Sequence, residues 1–300
     1  MRIFVKVLGV VIGLMGVALA FLLVPPHLQI GKIEPSLPNI AELREKTNIA
    51  GGPIGVRYLI TSSQRLPGSV LSHSSFIIDW ANGTSFVIDV GMDQDASIEF
   101  SKIMESMTGA SPANFHGNIA DLLGDGIQSI TGMAFTHLHV DHTEGITAFC
   151  EKSSTETEVY QTVWQHQFHN FNTNDGADLV AGSCLTPVTL RGDKVLQIEN
   201  FPGLLVVGLG GHTPGSTLFA VSIDKVLYIF SGDITNSKSE ILNNVGKGFI
   251  YSTFFVPENT ERTKALRLWL AELNGMEDVK VVVSHDLADI ESSGIHQYVK

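Results

Sequence analysis

The chain opens with an apolar block and then settles into short strands alternating with helical stretches. Arg2 and Lys6 give a basic start, and Val7 to Val24 follows without a charge or a strongly polar side chain, up to Pro25-Pro26. A run of 18 residues sits on the border between a signal-peptide core and a membrane-spanning helix. Ala18-Leu19-Ala20 offers a small-residue cleavage site, yet Phe21-Leu22-Leu23-Val24 carries the apolar run past it. Residues 1–24 therefore read as a signal peptide or a retained anchor, ended by the prolines. Positive charge favours the inner side, so both readings export the body: anchored facing outward, or periplasmic or secreted after cleavage. Residues 25–53, punctuated by Pro25, Pro26, Pro35 and Pro38, read as a tether.

From residue 54 to residue 300 the pattern is that of one body. Val56–Ile60 and Ser74–Trp80 read as strands. Asn82-Gly83 supplies the positive φ angles of a tight turn into the returning strand Ser85–Val90. Ala96–Met107 and Ile119–Leu123 have helical spacing. Gly132–Thr136, Thr157–Gln161, Val188–Leu190, Leu204–Leu209 and Val279–Val283 read as strands. Ser216–Ser222 and Val226–Phe230 form a hairpin. Asn259–Leu273 is the clearest helix, capped by Asn259 or Thr260, with Leu266, Trp269, Leu270 and Leu273 as its apolar stripe. Strand pairs followed by helices, in two halves, predict an α/β (α+β) fold. It is a four-layer αββα sandwich, two mixed β-sheets flanked by helices.

Composition changes this picture in two ways. A formal net charge of −12 over 300 residues, with no Lys/Arg cluster to set against it, excludes nucleic acid as a partner. That leaves a small-molecule substrate, with a membrane contact through the N-terminal segment. Cys150 and Cys184 are the only cysteines, too few for a disulfide framework and without CxxC spacing. A single pair and two separate buried thiols both remain open.

Four short motifs place metal-ligating side chains at a strand end or just beyond it. In Thr136-His137-Leu138-His139-Val140-Asp141-His142, three imidazoles and a carboxylate follow an apolar strand, the usual ligands of zinc and related metals. Gly210-Gly211-His212-Thr213-Pro214-Gly215-Ser216 brings a further histidine out of a strand through a turn. In Ile229-Phe230-Ser231-Gly232-Asp233, an acidic residue ends a buried strand, where packing gives it no reason to be. Val281-Val282-Val283-Ser284-His285 repeats the arrangement with histidine. A polar loop rich in histidine would account for the first motif alone, and a turn-initiating aspartate for the third, but neither accounts for the set.

Together these motifs, with Ile88-Asp89-Val90-Gly91 ahead of them, resemble the metallo-β-lactamase fold superfamily, in its lactonase and glyoxalase II-like branch. The resemblance runs from about Val56 to His285. It implies an αββα sandwich with the metals at one edge, and a metallo-β-lactamase-fold hydrolase domain over residues 54–300. Carried over residue by residue, it gives His137, His139 and His212 to one metal and Asp141, His142 and His285 to a second. Asp233 bridges the two, and Asp89 orients the site by hydrogen bonding. The expected activity is that of a binuclear zinc-dependent hydrolase, with two Zn2+ per chain and Mn2+ or Fe as substitutes. A metal-bridging hydroxide cleaves an ester, lactone or related bond, and Asp141 orients the attacking water.

The alternatives are a phosphoester or organophosphate hydrolase or a β-lactamase of the same fold. A different class is a mononuclear-iron oxidoreductase similar to the sulfur dioxygenases, against which the complete second set argues. Asp233 departs from the β-lactamase branches, which lack a carboxylate there. The tyrosine that follows the bridging aspartate in many lactonases of this fold is missing from Asp233-Ile234-Thr235-Asn236. Two aromatic segments are candidates for a substrate wall or for core packing: Trp164–Phe171, and Gly246–Phe255 with Phe249, Tyr251, Phe254 and Phe255. His166 and His169 read as surface histidines.

Overall fold

The computed structural model describes residues 2–192 and 194–299. Its strands, in chain order, are β1 (Gly55–Leu66), β2 (Ser69–Asp79), β3 (Ser85–Ile88), β4 (Asn114–Phe115), β5 (Ile130–Ala134), β6 (Glu158–Thr162) and β7 (Thr186–Leu190), followed by β8 (Leu196–Gln197), β9 (Leu205–Gly208), β10 (Thr217–Ile223), β11 (Val226–Phe230), β12 (Val279–Val282) and β13 (His296–Gln297). Among the described residues they form two sheets. The larger runs β13-β1-β2-β3-β5-β6-β7, with β4 paired to β1, and the smaller runs β12-β11-β10-β9-β8. Both are mixed. β3, β5, β6 and β7 are parallel neighbours, as are β11 and β12, while β1–β2–β3 and β8 through β11 pair antiparallel.

Alternation along the strands builds four layers. Phe76 and Ile78 face inward from β2, and Phe86 and Ile88 from β3. They meet Val206, Phe219, Val221, Phe230 and Val282 of the smaller sheet in one cluster between the sheets. The intervening residues face outward. Ile77 and Val87 pack with Ile119, Leu123, Ile146 and Phe149 from the helical stretches on that side. Leu205, Val207, Leu218, Ile229 and Val281 pack with Leu43, Ile241, Leu266 and Leu270 on the other. Strands buried on both faces read as unbroken apolar runs, as in Phe76-Ile77-Ile78 and Val281-Val282-Val283. The expected αββα sandwich is what forms.

Three differences from the sequence reading have physical causes. The first hairpin is longer than expected, with β1 running to Leu66 and β2 beginning at Ser69 across the turn at Pro67-Gly68. Its added length carries Thr61, Ser62, Gln64, Ser72 and His73, all polar and all buried, so hydropathy hides it. The prolines do not end the N-terminal helix, which runs Arg2–Ile30 with Pro25 and Pro26 inside it. Each proline removes a donor but fixes φ in the helical range, so the chain continues. The segment read as a tether also packs closely. Ile30, Ile33 and Leu43 are buried, and the helix Ile40–Thr47 has a full capping box from Asn39 and Glu42. Finally, Cys150 and Cys184 form a disulfide, joining the helix Ile146–Lys152 to the turn after the helix Asn174–Ala181.

Candidate metal centre

Strand direction puts the chemistry at one edge. β3 and β5 are parallel, and β9, β11 and β12 run in a common direction, so each strand delivers the residues after it to one end of the sandwich. The two sheets are tied together there by a hydrogen bond from Thr217 N to Thr136 O at 2.7 Å. After β5 the chain passes through Thr136 and the His137–His139 turn into the short helix Val140–Thr143, which carries Asp141 and His142. After β9, Gly210 has φ +64, and a Cβ there would lie 2.3 Å from the Ile33 carbonyl, so glycine is required where His212 turns in. After β11, Gly232 has φ +57 and lies so close to Thr136 that a Cβ would stand 2.8 Å from the Thr136 Cβ.

All seven residues singled out as ligands in the sequence meet, and all seven are buried. They fall into two groups. His137, His139 and His212 form one, and Asp141, His142, Asp233 and His285 the other. Within each group the ligand atoms lie within 4.8 Å of one another. Asp233 stands between the groups. Its carboxylate is 3.0 Å from His285 Nε2, 3.5 Å from His142 Nε2 and 3.9 Å from His212 Nε2. His142 Nε2, His212 Nε2 and Asp233 Oδ1 have no hydrogen-bond partner although they are buried. Unpartnered nitrogens and oxygens converging on two points fit divalent cations, which would complete them.

The far nitrogen of each key imidazole is held. His142 Nδ1 lies 2.9 Å from Asp89 Oδ2, His212 Nδ1 lies 2.6 Å from Glu258 Oε1, and His285 Nδ1 donates to the Ser72 carbonyl at 2.7 Å. Asp89 does more than orient one ring. It accepts from the Thr136 backbone N–H and from the Thr136 hydroxyl, both at 2.8 Å. It adopts φ 58, a left-handed backbone that aspartate tolerates better than most residues. Ser252 donates to the other oxygen of Glu258 at 2.5 Å, completing a hydroxyl–carboxylate–imidazole chain behind His212.

Electrostatics divides the groups. Burial, with the neighbouring imidazoles, pushes His137 and His139 well below their ordinary value and keeps them neutral. Burial also lowers His212, with Lys247 adding to it. In the second group burial opposes every charge, but the charges win. His285 and Lys247 hold Asp233 well below the carboxylate range, and Asp89 and Asp141 hold His142 well above the imidazole range. Neutral imidazoles and ionised carboxylates are the forms that bind a cation, so His137, His139, His212 and Asp233 stand ready, whereas an ion in the second group would have to displace the protons that the carboxylates hold on His142 and His285.

Three residues at the site escaped the sequence reading. Glu258 lies in a Pro-Glu-Asn stretch with no spacing relation to His212. Lys247 sits between two glycines, its side chain 3% exposed, with Nζ 3.4 Å from Asp233 Oδ2 and 5.3 Å from the Tyr251 ring centre. Burial raises the Tyr251 phenol to about 12. His73 bonds Ser62 Oγ through Nδ1 at 2.7 Å, and its unpartnered Nε2 is 3.9 Å from Asp141 Oδ2. The only hint of it was the polar run Ser72-His73-Ser74-Ser75 leading into an apolar strand. The aromatic segments mostly stay outside. Phe168 and Phe171 are each 38% exposed and Phe249 is 75% exposed, so none of the three is core, while Tyr251 turns inward. His169 bonds the His166 carbonyl and takes no part in the site.

The family model of the metallo-beta-lactamase superfamily matches residues 68–285. No curated protein matches the sequence. Among solved structures, an N-acyl homoserine lactone hydrolase with N-hexanoyl-L-homoserine at its catalytic metal centre superposes with a TM-score of 0.60 at 16% identity. That match covers 81% of this chain and 98% of the other. A mutant of AiiA from B. thuringiensis, with N-decanoyl-L-homoserine bound, gives a TM-score of 0.61 at 16% identity, covering 81% and 98%. A probable metal-dependent hydrolase from Staphylococcus aureus gives 0.51 at 15% identity, covering 79% and 91%.

Proposed function

The chain belongs to the metallo-beta-lactamase superfamily, and from that premise we propose that it is an exported hydrolase that holds two divalent ions, zinc first among them, and cleaves an ester, lactone or related bond in a small molecule. The observation that carries this reading is the position of Asp233, within reach of His212 in one group and of His142 and His285 in the other. A one-metal centre has no use for a carboxylate there, nor for a complete second group.

His137, His139 and His212 would hold one ion, and Asp141, His142 and His285 the other, with Asp233 shared. The bound ions would supply Lewis acidity and a water acidic enough to ionise near neutral pH. The rest falls to the chain. Asp89, Glu258 and the Ser72 carbonyl fix the far nitrogens of His142, His212 and His285, so each ring keeps one tautomer and one orientation. The Asp141 carboxylate orients the attacking water. Lys247 keeps its proton, and its ammonium next to Asp233 is placed to meet negative charge developing on the substrate oxygen. The inward-turned Tyr251 stands in a different stretch from the missing post-aspartate tyrosine and supplies a phenol to the same neighbourhood.

The test is metal analysis of the purified chain followed by a hydrolysis panel on zinc- and manganese-loaded protein. The panel spans lactones, thioesters, aryl esters, phosphotriesters, phosphodiesters and a β-lactam. Two ions per chain and turnover of an ester or lactone are expected. His137→Ala should lose an ion and lower kcat/KM by at least about a thousandfold, as loss of a metal ligand implies. One iron per chain, or an active and metal-replete His137→Ala protein, overturns the reading.

A further inference from the structure

The N-terminal helix and the rim of the metal centre meet. Lys6–Ile30 is 25 residues long, with a mean hydropathy of 2.9 in its most apolar stretch, which is only 6% buried. Its end does not hang free, because His27 Nε2 lies 3.1 Å from the Thr253 carbonyl. Pro25, Leu28 and Ile33 also face Trp164 and Phe168 across a cavity of about 510 Å³. Thr253 belongs to the segment that carries Lys247, Tyr251 and Ser252 to the metal centre. The outward face of that segment shows Phe249, Ile250, Phe254 and Phe255 at 75%, 65%, 43% and 45% exposure. Asn172 donates to the Phe255 carbonyl at 2.6 Å, which ties in the neighbouring loop with exposed Phe168 and Phe171.

We propose that these six side chains form a collar around the base of the retained N-terminal helix and seat the body on the bilayer surface, with the apolar tips in the interface. Three observations select lipid as the occupant. The patch is continuous with an exposed apolar helix. A helix rises about 1.5 Å per residue, so a hydrocarbon core of about 30 Å entered at Lys6 is left some twenty residues later, at Pro25–His27. That is the level at which Thr253 touches the helix. The third observation is charge. In a chain with 19 basic and 31 acidic residues, Gly246–Phe255 carries only Lys247, which is turned inward, and Gln167–Asn172 carries none. Attraction to anionic headgroups is excluded by the net charge of −12, so the contact is apolar and needs no acidic lipid. The collar is the back of the Lys247–Tyr251–Ser252 segment, so docking holds that segment against the membrane.

The experiment uses the full chain in phosphatidylcholine vesicles. The native cysteines are paired, so a single introduced cysteine is the only free thiol. Environment-sensitive labels at Ile250→Cys and Phe171→Cys are compared with labels at Ile103→Cys and Leu268→Cys, exposed positions on two other helices. Nitroxide-bearing lipid should quench the first pair several-fold more than the second. Equal quenching at all four positions overturns the proposal, as does quenching at none, or contact between labels on two copies of the chain at position 250. A mature chain that mass spectrometry finds shortened by its first twenty or so residues overturns it too. Quenching is read without turnover, so failure of the docking and failure of the hydrolase reading are told apart.

Discussion

The two sheets contribute to the candidate metal centre in opposite ways. The larger sheet supplies His137, His139, Asp141 and His142 from one turn and one short helix, braced by a single carboxylate, Asp89. The smaller sheet supplies His212, Asp233 and His285 one at a time, each from the end of a different strand, with His212 and His285 braced separately. The first half is local geometry that a loop can hold. The second exists only once β9, β11 and β12 lie side by side. Damage should therefore spread on the first side and stay contained on the second.

The sharpest way to break this contrast is Asp89→Ala. It strands the buried Thr136 backbone N–H, takes the Asp89 acceptor from the Thr136 hydroxyl and leaves His142 Nδ1 with only its longer contact to that hydroxyl at 3.3 Å. A loss of about 3–5 kcal/mol in stability is expected, as for a broken buried network, together with weakened binding of both ions. Denaturant unfolding of the metal-free protein and a chelator titration read the two effects, and Asp89→Asn should recover most of the first. Glu258→Gln tests the contained side. It keeps the shape and weakens one brace, so the affinity of the ion on His212 should fall about 10–100-fold while the other ion stays, in a competition titration. If both ions weaken together, the two sides do not differ.

A smaller effect belongs to the outer face of the smaller sheet. Arg44 bonds Asp278 through Nε at 3.0 Å, and its hydrogen bonds, then its charge, hold that carboxyl below its ordinary 3.8. The folded-state value is depressed, so the pair stabilises above the unfolded value and the gain is lost as pH falls through the folded one. Both partners are more than two-fifths exposed, so Arg44→Ala should lower Tm by less than about 4 °C at pH 7. As pH falls below 3.8 the difference should shrink, and thermal melts across pH follow it.

The same contrast explains what the sequence made legible. His137–His142 announce themselves because their neighbours in space are neighbours in the chain. His212, Asp233 and His285 were legible because each breaks the rule of its strand end, a polar residue where an apolar run stops. Glu258, Lys247 and His73 break no local rule, since their meaning lies in partners 46, 14 and 68 positions away. The layered fold followed from doubly apolar strands. The inner length of the first hairpin did not, because its buried polar residues bond among themselves, Thr61 and Ser62 with His73 and Ser72 with Ser74, and so leave no apolar run to read. The proline pair misled for a simpler reason: it signals a helix end only when nothing beyond it holds the chain, and here Ile30 and Ile33 do.

The hydrogen bond from Thr217 N to Thr136 O has a consequence in time. It joins the start of β10 to the root of the histidine turn, residues 81 apart, and it forms only when one sheet lies on the other. Contacts of such long separation come late in folding. The loop with four of the proposed ligands is thus complete in outline before its counterpart arrives, but it would have nothing to share an ion with. Loading then follows collapse: a chain refolded with chelator present should reach its native secondary structure and, once metal in excess of the chelator is added, bind it in a separate, concentration-dependent phase.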